Sequence, residues 1–239
     1  MRALDDTAGI GAADLLHAAT NLPGRPAEPV PVPPSEVRQR SVQTLEGRAA
    51  LLHALAHIEF NAINLALDAV WRYPGLPDPF YLDWLKVARE EAHHFALLND
   101  HLQTLGYRYG SFPAHDGLWH MAEKTRDDLL ARLALVPRTL EARGLDASPL
   151  IRHKLASAGD KTGAAILDII LRDEIGHVAI GNRWYRWSCQ QRGLDPIAAY
   201  ADLATRYSAP RLKGPFNLEA RRAAGFSEDE LTALSQASL

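Results

Sequence analysis

One chemical pattern occurs twice in this chain and constrains its fold more than any other feature. A lone glutamate is followed, one helix-length later, by Glu-x-x-His. The first copy is Glu59 with Glu91 and His94, and the second is Glu141 with Glu174 and His177. Glu91 follows Glu59 by 32 residues and Glu174 follows Glu141 by 33, so the halves run almost in register. A Glu and a His three residues apart share one face of a helix. A facing helix can add the lone Glu to the same point. Two such halves bring four carboxylates and two imidazoles from four helices into one interior, the arrangement of a dinuclear metal site in a helical bundle.

The hydropathy pattern agrees with that reading. From Ser41 onward Leu51, Leu52, Leu55, Ile58, Ala62, Ile63, Ala66 and Val70 recur at helical steps. Pro74, Pro77 and Pro79 close this first helix, and a second is expected from about Phe80 to Leu105, capped by Gly106. A third helical region lies between Leu118 and Arg143, with a kink at Pro137 and an end at Gly144. Pro149–Ala158 reads as a short connecting helix, and the fourth long helix is expected over about Lys161–Gln191. Further helices are expected near Pro196–Tyr207 and Glu228–Ser235, and a short one around Ala12–Ala19. No alternating strand run or hairpin signal is present, so the class is all-α. The organisation is an N-terminal arm (1–40) with a proline-rich linker from Leu22 to Pro34, a bundle (41–191), and a C-terminal helical extension packed on it (192–239).

Composition narrows the chemistry. Hydrophobic residues make up 47% of the chain, enough for a sizeable core. A net charge of −3 gives no global sign of nucleic-acid binding. Cys189 is the single cysteine, which excludes an intrachain disulfide, a multi-thiolate zinc site or an iron–sulfur cluster, and favours a reducing, cytoplasmic setting. No signal-peptide pattern opens the chain, and no uninterrupted apolar run approaches the roughly 20 residues of a membrane span. Phosphate-binding loops, dinucleotide fingerprints and His-Glu-x-x-His are also absent. Oxygen donors with few imidazoles suit iron or manganese. Buried acids in this number also need a cation, because unpaired charge in a core is very costly.

Two ligand choices stay open at this level. Glu91/His94 and Glu90/His93 both satisfy the spacing; Leu82, Leu85, Ala88, Ala92 and Phe95 outline a face on which Glu91 is the more central. Glu123 and Glu141 both lie in the third region, and Glu141 keeps the register. The second helix runs about 17 Å past His94, and a straight third helix from Leu118 would set Glu141 about 35 Å along its axis. Residues 106–117 reach about 40 Å at most, too short for both. A later helix start, with Thr125 as N-cap, removes the conflict. His57 reads as a structural histidine, Trp184, Tyr185 and Trp187 as packing, Cys189 as an inert core thiol, and the basic stretch Arg211–Arg222 as a solvated cap.

Three segments carry a family resemblance: Glu90-Glu91-Ala92-His93-His94-Phe95, Leu140-Glu141-Ala142-Arg143-Gly144-Leu145-Asp146 and Asp173-Glu174-Ile175-Gly176-His177-Val178. With Glu59 they resemble the ferritin-like diiron carboxylate superfamily over residues 41–191. Within it they resemble an uncharacterised bacterial ferritin-like family of unknown function, as does Pro215-Phe216-Asn217. Glu141-Ala142-Arg143 is also similar to the tRNA-modifying diiron hydroxylase branch. The resemblance implies a ferritin-like four-helix bundle holding two iron ions, or manganese or a mixed pair. It implies that Glu90 hydrogen-bonds His177 and that Asp173 hydrogen-bonds His94, each from the opposite half, which would fix the tautomer of each histidine. The leading expectation is an oxygen-activating oxidoreductase, a hydroxylase or oxidase, with a small-molecule substrate or electron donor. The alternatives are ferritin-type iron oxidation and storage, and a metal-stabilised binding protein without turnover. RNA as substrate is a sub-case of the first, no membrane association is expected, and a homodimer is compatible with the chain.

Overall fold

In the computed structural model, which describes residues 9–17 and 22–237, the apolar repeats of the sequence become helices and almost nothing else. The order is α1 (Leu45–Arg72), α2 (Asp78–Thr104), α3 (Gly117–Lys124), α4 (Leu129–Leu135), a π-helical segment (Val136–Glu141), α5 (Ala142–Ser157), α6 (Lys161–Gln191), α7 (Pro196–Arg206), α8 (Leu218–Ala223) and α9 (Glu228–Ala237). Because α4, the π segment and α5 run on without a break, they form one rod. That rod, α1, α2 and α6 make an all-α bundle of four. The α1 and α2 helices pack along each other, as do α5 and α6, and α2 meets α6 to join the pairs.

Polar side chains set the helix starts. Thr44 accepts from the Gly47 N–H ahead of α1, and Asp160 accepts from the Gly163 N–H ahead of α6. The third rod departs from expectation at several places. Asp128, not Thr125, caps α4, its Oδ1 accepting from the N–H groups of Leu130 and Ala131. Thr125 instead ends α3, and its hydroxyl donates to the carbonyl of Met121 at 2.8 Å. Gly144 does not end the helix: α5 runs through it and through Pro149 to Ser157. Burial of Ala142, Leu145, Ser148 and Leu155 outweighs the local cost of those two residues. The connection from α2 to α4 spans residues 105–128 and includes α3, which supplies the length that a short crossover lacked.

Pro137 produces neither a break nor a simple kink. It lacks an N–H, and the chain around it widens into i→i+5 bonding, with the Thr139 hydroxyl donating to the Ala134 carbonyl at 2.7 Å. This widened turn lies directly against α6. A Cβ added at Gly181 would meet Pro137 Cβ at 2.6 Å, so only glycine permits the approach.

The remaining segments close the bundle. Of the expected helix at Ala12–Ala19, residues 11–17 are non-helical with a turn at Ala12–Ala13, and the rest lies outside the described residues. The arm crosses the α2–α3 connection, where Val32 N–H donates to the Ala114 carbonyl at 2.9 Å and Arg25 pairs with Asp116. At the other end Arg138 donates to Asn182 Oδ1 at 2.8 Å and Glu230 Oε1 at 2.6 Å, and Arg221 donates to Asp146 Oδ2 at 2.6 Å. Residues 192–237 are therefore bonded into the bundle through buried arginines. Helix α1 has the length and apolarity of a membrane span. It also buries His53, His57, Glu59, Asn61 and Asp68 against its neighbours, so its apolarity serves the bundle interior.

Candidate metal centre

Each long element contributes one part of a buried cluster at the middle of the bundle. Helix α1 gives Glu59, α2 gives Glu91 and His94, and α6 gives Glu174 and His177. Glu141 comes from the last position of the π segment. One donor atom from each of Glu59, Glu91, His94 and Glu174 lies within 4.8 Å of all the others, and the four residues are buried. They can hold a metal ion.

The two histidines are oriented alike. His94 Nδ1 faces Glu59 Oε2 at 3.3 Å and Glu91 Oε2 at 3.4 Å, and its Nε2 meets Asp173 Oδ2 at 3.1 Å. His177 Nδ1 faces Glu91 Oε1 at 3.0 Å and Glu174 Oε1 at 3.4 Å, and its Nε2 meets Glu90 Oε2 at 2.9 Å. Each ring is thus braced at Nε2 by an acid from the opposite half, with Nδ1 turned to the interior. Glu91 spans the pair, one oxygen toward each histidine. The ring centroids of His94 and His177 are 5.8 Å apart.

The position of Glu91 separates the two registers. Glu91 is 1% exposed and His94 fully buried, whereas Glu90 is half-buried and His93 exposed. The buried face of α2 runs through Tyr81, Trp84, Ala88, Glu91, His94 and Leu98, and Leu82 is exposed. Ile58, read as part of the α1 stripe, is exposed as well. In the third rod Glu123 is exposed and accepts from the Trp119 indole N–H, away from the cluster. Glu141 Oε2 is buried with no hydrogen-bond partner among the described residues.

A family described as "Protein of unknown function (DUF455)" matches residues 3–232. The chain belongs to the DUF455 family. An uncharacterized protein of Haemophilus influenzae is 53% identical over 218 residues, covering 88% of this chain and 76% of the relative. No solved structure matches.

In this DUF455 chain the electrostatics of the cluster ask for a cation. Burial pushes the Glu59 carboxyl up to about 8, and the adjacent Glu91 charge adds to that. Burial likewise raises Glu141 well above the carboxylate range, reinforced by Glu174 and Glu91. The histidines move the other way. Burial alone would lower His94, but hydrogen bonds and charge from Glu59 and Glu91 lift it to about 10. The same balance, with Glu174 and Glu91 as partners, lifts His177 to about 12. Protons and imidazolium are therefore neutralising a charge excess that hard divalent cations can neutralise instead. The partnerless Glu141 Oε2 is the clearest sign of that fit. An apolar crevice lined by Leu65, Ala69, Phe80, Trp84 and Val136 reaches Glu141, and its free volume of about 10 Å³ has room for roughly one water.

Sequence reasoning missed Arg138 and the widened turn that presents Glu141. The only signal was Pro137, which marks a disruption without saying which kind. Arg138 looked like any helical arginine, yet it is buried between Tyr185, Tyr200 and Phe226.

Proposed function

We propose that this protein is a non-haem diiron carboxylate oxidoreductase with a ferritin-like bundle, in which manganese can replace one or both irons. The observation that supports this most is the placement of Glu91 between two oppositely braced histidines. Glu59, His94 and one Glu91 oxygen would hold one ion. His177, Glu174 and the other Glu91 oxygen would hold the second, with Glu141 beside it. Iron held in this way supplies redox equivalents for the activation of dioxygen and the oxidation of a substrate.

The chain's own residues do the rest. Asp173 is held near a pKa of about 2 by its hydrogen bond from Arg172, and His94 adds to the effect. Asp173 is therefore a permanent acceptor that keeps the proton of His94 on Nε2 and frees Nδ1 to donate its lone pair. Glu90 Oε2 lies 2.9 Å from His177 Nε2 and orients that ring from the opposite half. The apolar lining beside Glu141 excludes bulk water from the centre, which strengthens every electrostatic contact within it.

The test is metal analysis of protein loaded anaerobically with ferrous iron, followed by oxygen-uptake measurement. The expected result is two irons per chain and oxygen consumption on mixing with air. Glu91→Ala, which removes the shared carboxylate, is expected to bind at most one iron and to consume little oxygen. Unchanged iron content in that variant would remove the basis of the proposal.

A further inference from the structure

A cavity far larger than the crevice at Glu141 lies away from the cluster. It is a half-open groove of about 650 Å³ between α7, the 208–212 segment, α9 and the outer face of the π segment. Its walls are mostly apolar, including Ile197, Ala204, Leu212 and Ala233, and Tyr200 and Phe226 lie in its lining. Volumes of this size suit a small organic ligand.

Its charge is one-sided. Three arginines, Arg138, Arg211 and Arg221, line it against one carboxylate, Glu230. Glu230 is committed to Arg138 and Arg186, and Arg221 to Asp146. Arg211 is exposed, and no ion pair among the described residues includes it. Arg138 is 5% exposed, and its Nε has no hydrogen-bond partner among the described residues. An alanine-rich wall ending at an uncommitted guanidinium has the chemistry to take an aliphatic chain with an anionic head.

We propose that this groove binds a medium-chain aliphatic anion, with Arg211 holding the head group and the α7–α9 walls holding the chain. The groove lies outside the metal cluster, and the proposal does not depend on what that cluster does. Arg211 presents the same donors to a carboxylate or a phosphate, so both heads are probed.

The experiment is isothermal titration calorimetry on the full-length protein with decanoate, decyl phosphate, 1-decanol and decylammonium, each below its micelle concentration. Saturable one-to-one binding is expected for decanoate or decyl phosphate, and the tighter of the two identifies the head. Decanol and decylammonium are expected to bind at least ten-fold more weakly. Arg211→Gln, at an exposed position, is expected to weaken the anion about ten-fold, the loss of one charge-assisted contact. Ala233→Trp, also exposed and filling the groove, is expected to abolish binding while the helical circular dichroism is unchanged. Glu91→Ala is expected to leave anion binding intact, which separates this site from the metal centre. Equal binding of decylammonium, an Arg211→Gln variant with full affinity, or no binding of either anion would overturn the proposal.

Discussion

Gly181→Ala tests whether the widened turn is held by close packing on α6. A Cβ at this position would lie 2.6 Å from Pro137 Cβ and 3.0 Å from Pro137 Cγ. Ordinary carbon contacts begin near 3.5 Å, so roughly 1 Å must be recovered by separating α6 from the π segment. The obstacle is a proline ring bonded into the backbone, which cannot rotate away. Overpacking of this kind costs about 1–3 kcal/mol. Alanine regains about 1 kcal/mol over glycine in a helix interior, and this offsets part of the loss. The net expectation is up to about 2 kcal/mol of destabilisation, or a fall in Tm of up to about 8 °C for a chain of this size. Gly144→Ala is the control, because a Cβ there meets nothing within 4 Å. It is expected to raise stability by about 0.5–1 kcal/mol. Thermal unfolding followed by circular dichroism reads both. A Gly181→Ala protein as stable as Gly144→Ala would refute the reasoning that Pro137 presses on α6.

Other outcomes follow from the same geometry. Asp173→Asn and Glu90→Gln should each weaken metal binding about 10–100-fold, read by competition with a chelator, because each loosens one histidine ring. Glu230→Ala leaves the buried Arg138 guanidinium without its carboxylate and should cost about 3 kcal/mol in urea denaturation. Burial, helped by His57, lowers His53 to about 4 from 6.5. The unfolded chain therefore takes up that proton below pH 6.5, and the folded chain only near pH 4. Stability is full above 6.5 and falls as pH drops through that window, by about 3 kcal/mol at most from this group. His53→Gln, which keeps an acceptor for the Gly110 N–H, should flatten the slope of urea stability between pH 7 and 4; an unchanged slope would assign the loss to other groups.

Where local and tertiary signals agree, the sequence was readable. The expected bounds of α6, Lys161 to Gln191, match the structure because Asp160 caps a long apolar repeat that nothing interrupts. The third rod was harder, since Gly144 and Pro149 argue locally for an end while burial of Leu145 and Leu155 holds the helix together. Glu91 could be preferred over Glu90 only as far as the apolar face of α2 could be drawn, and that face was drawn slightly off, through Leu82. The need for a longer crossover could be reached by chain-length arithmetic. The cap at Asp128 could not, because Thr125 offers an equally good hydroxyl three residues earlier. No local pattern reveals that Arg138 is buried, because its partners Asn182 and Glu230 are distant in sequence.

The π segment also has a consequence for how this chain tolerates change in length. A π turn takes in one residue more than the α-helical turn it replaces, so that residue is absorbed without rotating α5 relative to α4. One extra residue in uninterrupted α-helix would instead rotate everything beyond it by about 100°. Deleting one position within 136–141 would therefore let the rod relax to a uniform helix with its two ends in nearly the same phase. What would change is the turn itself, from which Arg138 reaches Glu230 and Glu141 reaches the cluster. Length changes at this point of the rod are absorbed locally, and their effect falls on the two side chains that tie the centre of the bundle to its C-terminal helices.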